Sequence, residues 1–122
     1  MRYAILCYHD EGRVGALTGA QDDALMADLE VVRSELVAEG KLGPVARLMP
    51  TTAATTLRAA AEPLVIDGPF AETKEQLLGF YVVDCENLEE ALDFARDLGN
   101  ANPGGSYEIR PLLVFRPGTL AQ

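Results

Sequence analysis

The residues best equipped for chemistry cluster in one stretch, "VIDGPFAETKEQLLGF" at positions 65–80. An apolar run ends on Asp67, Gly68-Pro69 follows at once, and Glu72, Lys74 and Glu75 come directly after. Proline fixes φ and stiffens the bend. The residue before it is pushed toward extended angles, which glycine tolerates. Asp67 is thereby held at a strand end. A carboxylate held this way can act as a general base or receive a ligand's donor. It can equally accept backbone N–H groups and lock the turn. Phe70 is expected to fold back and anchor the bend, and it is a candidate apolar wall. Lys74 offers a positive charge to an anionic substrate, with Glu72 orienting it. The bland alternative is a set of exposed charges that pair weakly. Glu72 to Gln76 has room for one helical turn, with the Thr73 hydroxyl as a local cap.

Two more polar residues stand against apolar neighbours. His9 is the only histidine and follows the first apolar run. Histidine as a residue type titrates near neutrality, which suits a proton shuttle; a surface histidine at a strand end is the alternative. Cys7 and His9, two apart, share one strand face, but two ligands do not make a zinc site. Arg110 lies between Ile109 and Pro111. It is either a bidentate clamp for a carboxylate or phosphate, or half of an ion pair with Asp67, Asp84 or Glu72. In a catalytic arrangement Asp67 is the base and His9 the acid or shuttle. Lys74 and Arg110 bind an anionic group, and Phe70, Phe80 and Tyr81 form apolar walls. That is metal-free lyase or isomerase chemistry without a cofactor. A non-catalytic binding or regulatory module using the same cleft is the second reading.

The elements that must position these groups follow from periodicity. Residues 2–8 and 77–85 read as strongly apolar strands. Residues 10–21 are glycine-rich and polar and read as a loop. Thr18 and Gln21 have capping-box spacing, which starts a helix near Gly19. Leu25, Leu29, Val32 and Leu36 continue it, and Gly40 stops it. Most of the acidic residues along it fall on the solvated face. Residues 43–49 are a short strand candidate. Residues 55–67 read as a hairpin, with a short helix over 57–62 as the competitor, because Ala-Ala-Ala is poor turn chemistry. Asn87 and Glu90 open a second helix striped by Leu88, Ala91, Leu92, Ala95 and Leu98, which Gly99 terminates. Residues 107–115 are the last strand, with Pro111 implying an edge or a bulge. The last few residues read as a tail or an arm.

The order β-α-β-(hairpin)-β-α-β predicts an α+β fold, a ferredoxin-like split βαβ with an inserted β-hairpin. Two helices cover one face of the sheet only. Tyr3, Ile5 and Cys7 point one way, and Ala4, Leu6 and Tyr8 point the other, so the second face needs a cover. A second copy is the economical one, giving a homodimeric α+β barrel.

Composition narrows the partners. The 122 residues suit one domain spanning 1–122, and 48% hydrophobic residues suffice for a core. A net charge of −9 disfavours nucleic acid and anionic membranes as partners. No apolar run has transmembrane length. The N-terminus opens on a strand rather than a signal peptide, which favours the cytoplasm. Cys7 and Cys85 form no C-x-x-C pair and read as buried free thiols. Dinucleotide, P-loop, nucleophile-elbow, H-E-x-x-H and EF-hand motifs are absent. Ser34 and Ser106 lack a nucleophile context.

"TAATTLR", "VIDGPFAETKEQLLGFYVVD", "NLEEALDFARD" and "YEIRPL" together resemble the DGPF-domain branch of the YCII-related proteins. The resemblance runs from "YAILCY" to Phe115. It implies a dimeric α+β barrel of ferredoxin-like topology. Some relatives resemble domains associated with extracytoplasmic-function sigma factors. Others carry a His–Asp pair proposed as a catalytic dyad, a dehydrochlorinase among them. Their histidine lies on the first helix, whereas residues 19–39 here contain none; Asp67 is the position that matches the aspartate. "RAAAEP" also stands where relatives tend to have an Asp-Gly turn.

Overall fold

A computed structural model describes residues 1–120. Strands β1 (Arg2–His9), β2 (Leu42–Arg47), β5 (Gln76–Asp84) and β6 (Ser106–Pro111) form an antiparallel sheet in the order β2-β5-β1-β6. This is the strand order of the split βαβ plan. The central pair is the most apolar in sequence, as two-sided burial requires. Its register sets Ile5 opposite Tyr81 and Cys7 opposite Gly79, and a bulge follows between Cys7 and Tyr8.

Helices α2 (Gly19–Ala38) and α3 (Leu88–Ala101) supply the other half of the core. Tyr3, Ile5, Val83 and Cys85 of the sheet side meet Leu36, Ala91, Phe94, Ala95 and Leu98. The Thr18–Gln21 capping box forms as its spacing predicts, with Thr18 Oγ1 accepting from Gln21 N–H at 3.1 Å. At the other end Gly40 adopts φ +69°. The N–H of Lys41 then donates to Leu36 O and that of Gly40 to Val37 O, the paired bonds of a Schellman stop. Asn87 Oδ1 accepts from Glu90 N–H at 3.0 Å and starts α3.

Four local expectations need correction. Residues 10–21 are not all loop: α1 (Glu11–Gly15) forms there, and Asp10 Oδ1 caps it by accepting from Gly12 N–H. Gly99 does not end α3, which runs to Ala101; Leu98 anchors that turn in the core and Pro103 imposes the stop. No helical turn forms over 72–76, because β5 already begins at Gln76. The last strand ends at Pro111 rather than 115; Leu112 N–H still donates to Arg2 O, and the chain then leaves the sheet. The tail expected at the C-terminus lies partly outside the described residues.

The hairpin expectation holds. β3 (Thr55–Arg58) pairs with β4 (Leu64–Asp67), Thr55 opposite Asp67, as a separate two-stranded sheet. The competing helix over 57–62 is excluded. This arm leaves Leu57, Leu64 and Val65 exposed.

Candidate functional site

A cleft of about 250 Å³ opens between α2 and the sheet. Leu25, Met26, Leu29 and Arg33 of α2 form one wall. Cys7, Phe80, Tyr81 and Tyr107 of the three neighbouring strands lie opposite, and Leu98 and Asn102 close the α3 side. The floor at Gly79 tolerates no side chain: a Cβ there would lie 2.3 Å from Ala46 O.

The polar groups of this cleft are few and specific. Burial pushes the Cys7 thiol up to about 12. It also pushes the Tyr107 phenol up to about 12, with Cys7 and Tyr81 adding to the effect. Burial raises Tyr81 too; Cys7 reinforces the rise and the Arg33 charge opposes it. All three groups are therefore protonated at neutral pH, and the phenols are hydrogen-bond donors. Tyr81 is fixed by an edge-to-face contact with Phe94, with centroids 5.4 Å apart at 79°. Arg33 pairs through Nη2 with Glu30 on the solvent side, while its Nε is buried with no hydrogen-bond partner among the described residues. At the mouth, Arg47 is tied to Asp22 Oδ1 at 2.9 Å.

The sequence-predicted residues divide into three groups. Phe80 and Tyr81 line the cleft as apolar-wall candidates. His9 is not a surface residue: it is 5% exposed, beneath the turn at 103–105. Its Nε2 donates to Pro103 O at 3.1 Å, which leaves Nδ1 buried and unpartnered among the described residues. Gly105 makes this approach possible, since a Cβ there would meet Tyr8 O at 2.3 Å. The third group stays at the surface. Asp67, Phe70, Glu72 and Lys74 are exposed along the hairpin and the segment after it. Phe70, at 78% exposed, does not fold back into the core. Arg110 is also exposed; it pairs with Glu108 of its own strand rather than with Asp67, Asp84 or Glu72.

The signature segment nevertheless connects these regions. Gly68 has φ +103°, so the glycine before the proline is required by conformation. Gly68 N–H donates to Ala54 O at 2.7 Å and Thr56 Oγ1 donates to Gly68 O at 2.8 Å, which closes the hairpin base. At its other end Gln76 lies opposite His9. Gln76 Oε1 accepts from Glu11 N–H, and Glu75 Oε1 accepts from the Ser106 hydroxyl at 2.7 Å. Glu75 thus ties the segment to β6. No hydrogen bond or ion pair joins Asp67 to His9 among the described residues.

Sequence reasoning missed Arg33, Cys7 and Tyr107 as cleft residues. The available signal was Arg33's position four residues after Leu29, on the apolar stripe of α2. Among the described residues no group of three or more His, Cys, Asp or Glu side chains is arranged to hold a metal ion. No helix is long and apolar enough to cross a membrane.

A four-stranded antiparallel sheet in split-βαβ order, two long helices on one face and a projecting hairpin together define a mixed α+β protein. The chain belongs to the YCII-related domain family, whose pattern matches residues 1–116. It is similar to an uncharacterised protein of Rhizobium meliloti (strain 1021), with 62% identity over 122 residues covering 98% of each chain.

Proposed function

We propose that this YCII-related protein binds a small anionic molecule in the cleft under α2 and works as a homodimer. The cleft carries the reading: an apolar, concave space with a few polar groups is the usual form of a small-molecule site. The overall charge of −9 does not oppose it, because the ionic groups nearest the cleft are Arg33 and Arg47, each met by one carboxylate.

The dimer accounts for apolar surface that one copy leaves open. Leu57, Leu64 and Val65 of the hairpin and Leu113 and Val114 after β6 are exposed. A second copy lying on the helix-free face of the sheet would cover it. Phe70, Glu72 and Lys74 then stand where they can meet that copy or its ligand. The catalytic version assigns proton abstraction to Asp67 and proton shuttling to His9, whose Nδ1 has no protein partner among the described residues.

Native mass spectrometry of the purified protein after exposure to a metabolite mixture tests the reading. The expected result is a dimer retaining a small anionic molecule. Recovery of a protein partner with no retained small molecule would point to a regulatory module instead.

A further inference from the structure

We propose that the cleft selects a monocarboxylic acid with an apolar body, its carboxylate held by Arg33 Nε–H and the phenols of Tyr81 and Tyr107; this rests on the small-molecule reading above. The shape comes first. The cleft offers about 250 Å³. That admits a body the size of a phenyl ring with a short stem. The lining toward that body is Leu25, Met26, Leu29 and Leu98, so the body is apolar.

The head group follows from the donors. A buried guanidinium N–H without a partner has lost its water and gained nothing in return, which makes Arg33 Nε a strong claimant for an acceptor. Tyr81 and Tyr107 are kept protonated by burial, so both contribute O–H donors rather than negative charge. The Cys7 thiol is neutral for the same reason and adds no repulsion. Three donors suit a carboxylate, whose two oxygens offer about four lone-pair sites.

The charge count excludes a dianion. Glu30 already takes the outer side of Arg33, and Asp22 takes Arg47. One guanidinium edge remains for the ligand, which matches one negative charge and gives a phosphate monoester too little compensation. A neutral amide of the same shape fills the same space but forgoes the charge-assisted bond.

The test compares acids with their amides. Phenylacetate, hexanoate and the corresponding amides are titrated into the intact protein by ¹⁵N–¹H NMR. The acids are expected to bind at least tenfold tighter than the amides, with shifts at Arg33, Tyr81 and Tyr107. Arg33→Met keeps the apolar stem in place and should erase that preference while amide binding persists. Tyr107→Phe should weaken acid binding several-fold and leave the amide unchanged; it keeps the test decisive if Arg33→Met fails to fold. Equal affinity of acid and amide in the wild type, or an unchanged preference in Arg33→Met, overturns the carboxylate assignment and leaves a small-molecule cleft standing. Absence of binding by every probe overturns both.

Discussion

At the scale of single residues, two ion pairs contribute to the acid limb of stability. The Arg47 hydrogen bond holds the Asp22 carboxyl below its ordinary range, and the Lys41 hydrogen bond does the same for Glu90. Carboxyls in the unfolded chain titrate near 3.9 for Asp and 4.3 for Glu. A depressed folded value means stability that is present above the unfolded value and lost as pH falls through the folded one. Melting temperatures measured from pH 6 to pH 3 should therefore fall less steeply in Arg47→Met and Lys41→Met than in the wild type. Identical slopes would remove both pairs from the account. Cys7 gives an independent check. The thiolate is the reactive form, and burial suppresses it. Alkylation of Cys7 by iodoacetamide at pH 8 should be at least 100-fold slower in the native protein than after denaturation. Such residues differ in how visible they are in a sequence. Thr18 and Gln21 announce a capping box by spacing alone, and it forms. Arg33 announces only its place on the apolar stripe of α2, because its role depends on Tyr81 and Tyr107 arriving from strands 48 and 74 residues further on. His9 looks like a strand-end surface residue until the 103–105 turn closes over it.

At the scale of elements, the legible parts are those with a strong local pattern. β1 and β5 are apolar runs, α2 carries a cap at each end, and the β3–β4 hairpin pairs despite its weak turn sequence. The illegible parts were decided by neighbours. Gly12 and Gly15 make residues 11–15 read as loop, yet the Asp10 cap and the Glu11–Gln76 bond hold a helix there. Gly99 reads as a stop, but the burial of Leu98 carries α3 past it to Ala101, just before Pro103. Two substitutions test this scale. Gly79→Ala forces a Cβ to within 2.3 Å of Ala46 O, so β2 must shift from β5. An overpacking cost of about 1–3 kcal/mol is expected in denaturant unfolding. Thr18→Ala removes the acceptor for Gln21 N–H and should cost about 1 kcal/mol. A neutral Gly79→Ala would mean that the strand pair is looser than its register implies.

At the scale of the whole molecule, the exposed apolar surface is the ground for predicting association. Ala4, Leu6 and Tyr8 occupy the sheet face opposite the core residues Tyr3 and Ile5, and all three are only half-buried. The hairpin has its backbone bonds satisfied between β3 and β4, yet its apolar side chains Leu57, Leu64 and Val65 face solvent. After β6 the chain presents Leu113, 99% exposed. Scattered apolar residues need no explanation, but a sheet face, an arm and a trailing segment left apolar together do. The sequence carried half of this argument, in the two-sided apolar pattern of 2–8. It did not foretell that Phe70 would join the exposed set, because the Gly68 conformation that turns the segment outward depends on the Ala54 and Thr56 bonds. The prediction is a dimer at micromolar concentration by sedimentation velocity. Leu64→Asp combined with Val65→Asp should shift it to monomer while the helical circular dichroism signal persists. The hairpin makes its backbone contacts within itself, so these charges should disturb association rather than the sheet and helices. A wild-type chain that sediments as a well-folded monomer at that concentration would defeat the dimer. The cleft would then have to function within one copy, where Arg33, Tyr81 and Tyr107 already stand.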